Sequence, residues 1–386
     1  MTATPRKLLF LLQGSEGYGV MRVWETLLRG LTAQGDEITV LLLEDNPLLR
    51  ACWQGRNVEF VDLRLALPKL GAPGQVKALT LLRRGAVQLR IARRAAKLAR
   101  DRGIGTIIFQ SPLETVLASL IARLSGGRAL WMMPNSVSSS YPLDLNRRVY
   151  RALFRHCNLI PLPNSHHTDR TLGPGAFRRQ VVHLGIDVGT FSAARSWPLT
   201  RADCGLPEDR PVLGLFARLT EEKGALVLAE AMAIAGGDFH VLVCGGPADS
   251  PFVRRLNARI ADLNLSERFH FLGHQGDIMP CYMLCDVILN ARLTAEPFGL
   301  TVIEAMAMRR PVLAHGAGGP GETILDGETG WLIDAPTPEA FAQGLRRMMD
   351  DRGRWGEMGL AAEAHVRSNF SEERMIRDLN AVIAHG

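Results

Sequence analysis

The chain is predicted to fold as α/β: two tandem Rossmann-like domains, each a doubly wound parallel sheet, with a cleft between them. Three observations lead there: the length, an alternation of short apolar runs with helical stretches, and one interruption of that alternation near the middle. With 386 residues and 47% hydrophobic content, the chain can bury more than one core, because single cores stop growing near about 250–300 residues. In such sheets ligands lie at the carboxyl ends of the strands, so two facing domains make one cleft.

In the first half, Leu8–Leu12, Ile38–Leu43, Thr106–Phe109, Ala129–Met133, Leu159–Leu162 and Val181–His183 are short apolar runs and read as strands covered on both faces. Between the first two, Val20, Val23, Trp24, Leu27, Leu28 and Leu31 recur at helical spacing, which makes the opening a strand, a glycine-rich loop and a helix. Residues 187–210 (DVGTFSAARSWPLTRADCGLPEDR) lack periodicity and carry two prolines, and read as a linker. A second set follows: Val212–Phe216, Val241–Cys244, Phe269–Leu272, Val287–Leu289, Val312–Ala314 and Trp331–Ile333. The expected domains are residues 1–190 and 191–370, with a final helix over 371–386 packing back on the first.

The composition excludes several classes. Leu8–Leu12 is the only apolar run before the first glycine loop, too short for a signal-peptide core, and no stretch reaches the length of a spanning helix. The six cysteines, at 52, 157, 204, 244, 281 and 285, form no CxxC pair and read as reduced cytosolic thiols. A cytoplasmic enzyme is expected, or one peripheral on the inner face of the cell membrane. The formal charge of +6 conceals an asymmetry: residues 1–195 hold 27 Lys+Arg against 13 Asp+Glu (net +14), and residues 196–386 hold 18 against 26 (net −8). A basic half favours an anionic partner, and because it contains no nucleic-acid recognition motif, nucleic acid is not expected.

The chemistry concentrates in the second half. In EPFGLTVIE, Glu296 and Glu304 bracket Gly299 at a helix start. The uncovered N–H groups there favour a phosphate, while ionised carboxylates accept from vicinal hydroxyls such as those of a sugar or a ribose. Alone, the segment is equally a capped helix with solvated acids. Upstream, GLFARLTEEKG places Arg218 and Lys223 five apart after a strand; a guanidinium fork and an ammonium together suit a departing diphosphate. The sequence contains no Asp-x-Asp and no His/Cys/Asp cluster at ligand spacing, so no metal cofactor is expected.

Taken in order, HLGIDVGTF, ARLTEEKG, EPFGLTVIE and GAGGPGETILDGETGWLI resemble glycosyltransferase family 4, the large retaining GT-B family, over nearly the whole chain and most closely from about Val181 to Ile333. The resemblance implies that Glu296 contacts the donor sugar, that Phe298, Gly299, Leu300 and Thr301 present backbone amides to sugar and diphosphate, and that Glu304 holds the ribose. Arg218 and Lys223 would stabilise the departing pyrophosphate, and Gly273-His274 would meet the base. Gly17 and Gly19 of GSEGYG would approach the donor phosphates and the acceptor. Where the family carries a histidine after an N-terminal strand, this chain has ALWMMPNS; its first histidine is His156, and Asn135 or Ser136 stands in that place.

The activity so implied is retaining, metal-independent hexosyl transfer from a UDP- or GDP-sugar to a glycan or lipid-linked acceptor, in cell-envelope polysaccharide or glycolipid synthesis. Arg218, Lys223 and Glu296 would be the catalytic residues, acting by positioning and electrostatics with the leaving phosphate assisting deprotonation. A GT-B sugar-nucleotide epimerase and a non-catalytic GT-B subunit are the alternatives. Finally, Leu79–Arg102 reads as a helix with eight cations between 83 and 102 and an apolar stripe of Leu82, Ala86, Leu89, Ala92, Ala96 and Ala99. Its basic face is either solvated surface or a contact with an anionic membrane.

Overall fold

The computed structural model describes residues 5–63, 65, 78–137 and 144–384. The chain divides into one unit running to Gly185 and resuming at Met375, and a second from Ile186 to Arg374.

The first unit comprises β1 (Lys7–Leu12), α1 (Tyr18–Ala33), β2 (Glu37–Leu42), α2 (Pro47–Cys52), β3 (Val58–Val61), α3 (Ala78–Arg102), β4 (Thr106–Phe109), α4 (Thr115–Ser125), β5 (Arg128–Met133), α5 (Leu145–His156), β6 (Leu159–Pro163) and α6 (His166–Thr171). The six strands form one parallel sheet in the order β3-β2-β1-β4-β5-β6. The winding reverses between β1 and β4, so the crevice of a doubly wound sheet opens at their carboxyl ends. Beyond Lys7, β1 is buried throughout, because helices cover both faces; Phe10 packs against Trp24 of α1 with ring centroids 4.7 Å apart.

Three details depart from expectation. The strand β3, VEFV, is half-exposed; with one acid in four residues it lacks the apolar run that marks a strand buried on both faces. Val181–His183 is not a strand. Gln180 and Val182 donate backbone bonds to the carbonyls of Pro161 and Pro163, but those prolines have no N–H of their own for a ladder. In α3 the buried face is Ile91, Ala92, Ala95, Ala96 and Ala99, whereas Leu82 is 71% exposed and Ala86 is exposed. The apolar stripe therefore covers only the C-terminal part of the helix, where small side chains let it approach α4 within one core.

The second unit comprises β7 (Val212–Phe216), α7 (Ala225–Ala235), β8 (His240–Cys244), α8 (Pro251–Asp262), β9 (Phe269–Gly273), α9 (Met279–Leu284), β10 (Val287–Asn290), α10 (Leu300–Ala307), β11 (Val312–His315), α11 (Pro320–Thr323), β12 (Gly330–Ile333), α12 (Pro338–Asp350) and α13 (Trp355–Asn369). The last helix, α14 (Glu372–Ala384), begins here and runs on into the first unit. The sheet order is β12-β11-β10-β7-β8-β9, again all parallel, so its switch point lies between β7 and β10. Residues 187–210 contain no strand or α-helix. They are tied down by Arg201, whose Nη2 lies 2.9 Å from Asp286 Oδ2, an oxygen that also accepts from Val212 N at 2.8 Å. Among the described residues no helix is long and apolar enough to cross a membrane.

Candidate functional site

The loops after β7 and β10, which flank the switch point of the second sheet, are stitched together by backbone. Leu293 N donates to Glu222 O at 2.9 Å. A Cβ on Gly224 (φ +74°) would sit 1.8 Å from the carbonyl oxygen of Ala291, so only glycine admits this approach. The loop after β11 braces the same place from the other side: Gly319 N donates to Glu296 O at 2.8 Å, and Cβ atoms on Gly318 and Gly319 would fall 2.1 and 2.2 Å from the carbonyl oxygens of Glu296 and Phe298. These contacts give two glycines of GAGGPGE, Gly318 and Gly319, a definite role.

On this frame the charged side chains form a chain of alternating sign. Lys223 Nζ lies 3.1 Å from Glu296 Oε2, and Arg292 Nη1 lies 3.1 Å from Glu296 Oε1. Arg292 Nη2 is 3.8 Å from Glu222 Oε2, and Arg218 Nη2 is 3.7 Å from Glu222 Oε1. Lys223, Glu296 and Arg292 are largely shielded, while Arg218 is 75% exposed. The structure thus brings Lys223 and Glu296 together and leaves Arg218 at the rim. Arg292 carries no motif signal in ARLTAE: its four-residue spacing to Glu296 marks a pair on a helix face, whereas these residues form the loop after β10, whose course brings the two side chains together.

Gly299 (φ +93°) caps α10, whose first residues are Leu300 and Thr301, so their N–H groups are the uncovered donors of a helix start. Phe298 is 2% exposed and packs edge-on against Phe370 at 5.9 Å, so its side chain belongs to the core and only its backbone is available. Glu304 is 1% exposed and accepts from Tyr282 Oη at 3.0 Å; Tyr282 packs against Phe216 at 4.6 Å. A lone tyrosine within α9 carries no sequence signal, and the fold alone makes it the neighbour of Glu304. Gly273 (φ +68°) closes β9 and accepts from Gly245 N at 2.8 Å, while Leu219 N donates to Gly246 O at 2.9 Å. The turn before His274 therefore lies beside the loops after β7 and β8.

In the first unit, the glycine that the backbone requires in GSEGYG is Gly14: its φ is +98°, and a Cβ would lie 2.1 Å from Glu44 O. Gly17 has open space around its Cβ position and precedes α1, of which Gly19 is the second residue. Glu16 folds back to accept from Gln13 N and Gly14 N at 2.7 and 2.9 Å, which closes the loop. Asn135 follows β5 and is exposed.

At the other lip of this switch point, after β4, Glu114 is 2% exposed. Burial, then the nearby charge of Glu16, push its carboxyl up to about 8, against smaller opposing effects of Ser111 and Arg84. The folded state therefore prefers the neutral acid. That preference stabilises fully below the unfolded carboxylate pKa and is lost as pH rises toward 8. Glu114→Gln is expected to flatten the decline of the urea midpoint between pH 5 and 8; a variant whose decline parallels that of the parent would contradict this.

Residues 198–365 match the family "Glycosyl transferases group 1". D-inositol 3-phosphate glycosyltransferase of Salinispora tropica is 34% identical over 218 residues, covering 52% of this chain and 45% of that protein. The lipopolysaccharide core biosynthesis mannosyltransferase LpcC of Rhizobium leguminosarum is 32% identical over 207 residues, 52% of this chain and 58% of the other. The matched stretch thus spans about half the length of these curated relatives. Two solved structures align over 98% of this chain: a glycosyltransferase from Rickettsia africae (TM-score 0.81, 20% identity, 97% of that chain) and Anabaena HepE in complex with UDP (TM-score 0.82, 19% identity, 100% of that chain). The chain therefore has the GT-B fold of these solved glycosyltransferases, and its residues 198–365 are similar to the group 1 glycosyl transferases.

Proposed function

We propose that the protein is a retaining, metal-independent glycosyltransferase that moves a sugar from a nucleotide-sugar to an acceptor hydroxyl. The observation that carries this reading is the Lys223–Glu296–Arg292 cluster beside the start of α10, whose first N–H groups have no helical partner, at a switch point, where a doubly wound sheet takes its ligands. Lys223 faces a leaving diphosphate and Arg218 reaches it from the rim; their charge does the neutralisation that a divalent cation does elsewhere. Glu296 accepts from sugar hydroxyls and Glu304, steadied by Tyr282, from the ribose. Attack from the face the diphosphate leaves preserves the anomeric configuration, and the departing phosphate takes the acceptor's proton. HepE has been solved with UDP-glucose, which supports a donor of that class. The similarity to a D-inositol 3-phosphate glycosyltransferase and a lipopolysaccharide core mannosyltransferase supports a polyol or glycan acceptor in envelope synthesis.

The test is hydrolysis and thermal stabilisation with UDP-glucose, GDP-mannose and ADP-glucose, with and without EDTA, since a bound donor raises the unfolding temperature. One donor is expected to respond, equally in EDTA, and to release a sugar of unchanged anomeric configuration. No response to any donor would refute transfer, and a loss in EDTA restored by Mg²⁺ would refute metal independence.

A membrane contact through α3 belongs to the same proposal. Four of its cations are engaged on the protein itself: Arg94 with Leu63 O, Lys97 with Asp101, Arg100 with Leu124 O and Arg102 with Glu59. Arg83, Arg90 and Arg93 are exposed and would carry the contact. Charge reversal at Arg90 and Arg93 is expected to abolish co-sedimentation with phosphatidylserine vesicles at low salt; absence of parent binding would remove the contact from the proposal.

A further inference from the structure

We infer that Arg292 is a positioning residue that holds the carboxylate of Glu296 in place when Lys223 turns to the diphosphate; this deepens the donor-site reading above and rests on it. Glu296 has two oxygens and each meets one cation: Oε1 faces Arg292 at 3.1 Å and Oε2 faces Lys223 at 3.1 Å. An ammonium has three donors but one charge. As a diphosphate takes hold of Lys223, its pull on Glu296 weakens, and the carboxylate is left beside a second anion that repels it. Arg292 answers both effects, since it neutralises Glu296 from the side opposite Lys223.

The guanidinium suits this work because its donors point in several directions within one rigid plane. Nε donates to Thr294 Oγ1 at 3.0 Å, Nη1 to Glu296 at 3.1 Å, and Nη2 points toward Glu222 at 3.8 Å. Thr294 and Glu222 thus set the orientation of the fork and Glu296 receives it. The side chain is only 17% exposed, so the pairing is less screened than a surface ion pair. Its backbone is equally constrained: the neighbouring Ala291 carbonyl abuts Gly224, and Leu293 N is bonded to Glu222 O. A lysine here would keep the charge and lose the three-way anchorage.

The experiment is a double-mutant cycle on donor hydrolysis, with UDP-glucose and GDP-mannose as probes. Arg292→Ala is expected to lower kcat/KM about 10–100-fold, and Arg292→Lys to recover part of that loss. In a Glu296→Gln background, where no charge remains to be held, Arg292→Ala is expected to change kcat/KM by less than about 3-fold. Equal losses in both backgrounds would overturn the inference and leave the donor site standing. A parent protein that turns over neither these two probes nor ADP-glucose would count against the functional reading itself, and this inference would fall with it. If Arg292→Ala does not fold, Arg292→Lys carries the same cycle, and an additive result has the same meaning.

Discussion

Lys223→Ala is expected to slow sugar transfer by roughly 10²–10³-fold without unfolding the protein. The ammonium is the most shielded cation of the β7 loop, 20% exposed against 75% for Arg218, so its charge acts on a leaving diphosphate with less screening. The loss is expected in kcat more than in KM, because the extra charge on the leaving group grows between the bound ground state and the transition state. Arg218→Ala is expected to act in the same direction with a smaller effect, since the side chain stands at the rim. The fold is expected to survive: Lys223 lies in a short turn between β7 and α7 and is not among the core residues of this unit. Single-turnover measurements on the responsive donor decide the matter, and a Lys223→Ala enzyme with near-parental turnover would remove Lys223 from the chemistry.

The second large effect is expected from a methyl group. Gly319 has φ −59°, a conformation open to any residue, so an alanine there carries no backbone strain. Its Cβ would nevertheless lie 2.2 Å from Phe298 O and 2.3 Å from Phe298 Cα, which are backbone atoms unable to swing aside. Gly319→Ala is therefore expected to push the 296–299 segment out of register with the loop after β11, at a cost of about 3 kcal/mol in stability, and to lower donor affinity by displacing Glu296 and the start of α10. Gly17→Ala is the control: φ is −72° and the Cβ position is open, so its effect on stability is expected within about 0.5 kcal/mol. Urea midpoints and donor-induced thermal shifts measure both. Equal midpoints for the two variants would show that the close approach at Gly319 does not hold the site.

Most strands were legible because buried parallel strands are short apolar runs, and Val212–Phe216 and Thr106–Phe109 coincide with the structure residue for residue. The misses have particular causes. A half-exposed edge strand such as VEFV has no two-sided apolar signal. Val181–His183 has that signal but faces a strand whose prolines cannot donate. In α3, the spacing marked Leu82 as core, yet the helix packs on α4 only over its alanine-rich C-terminal part.

What the sequence by itself determined was local: the two sets of alternating elements, the charge asymmetry, the glycines at loop starts, and the order of ARLTEEKG and EPFGLTVIE. These depend on hydrophobic period and turn chemistry, which act over a few residues and so can be read along the chain. Only the tertiary structure decided which side chains meet. The ion pair of Lys223 and Glu296 spans 73 positions, Tyr282 reaches Glu304 from another helix, and Arg292 meets Glu222 because β7 and β10 are neighbours in the sheet. Burial was likewise decided there: it turned Phe298 into a core side chain and Glu114 into an acid that prefers its proton. Both outcomes depend on what surrounds a residue in three dimensions, since desolvation and Coulomb interaction follow distance through space, and the sheet order that sets those distances is a property of the folded chain.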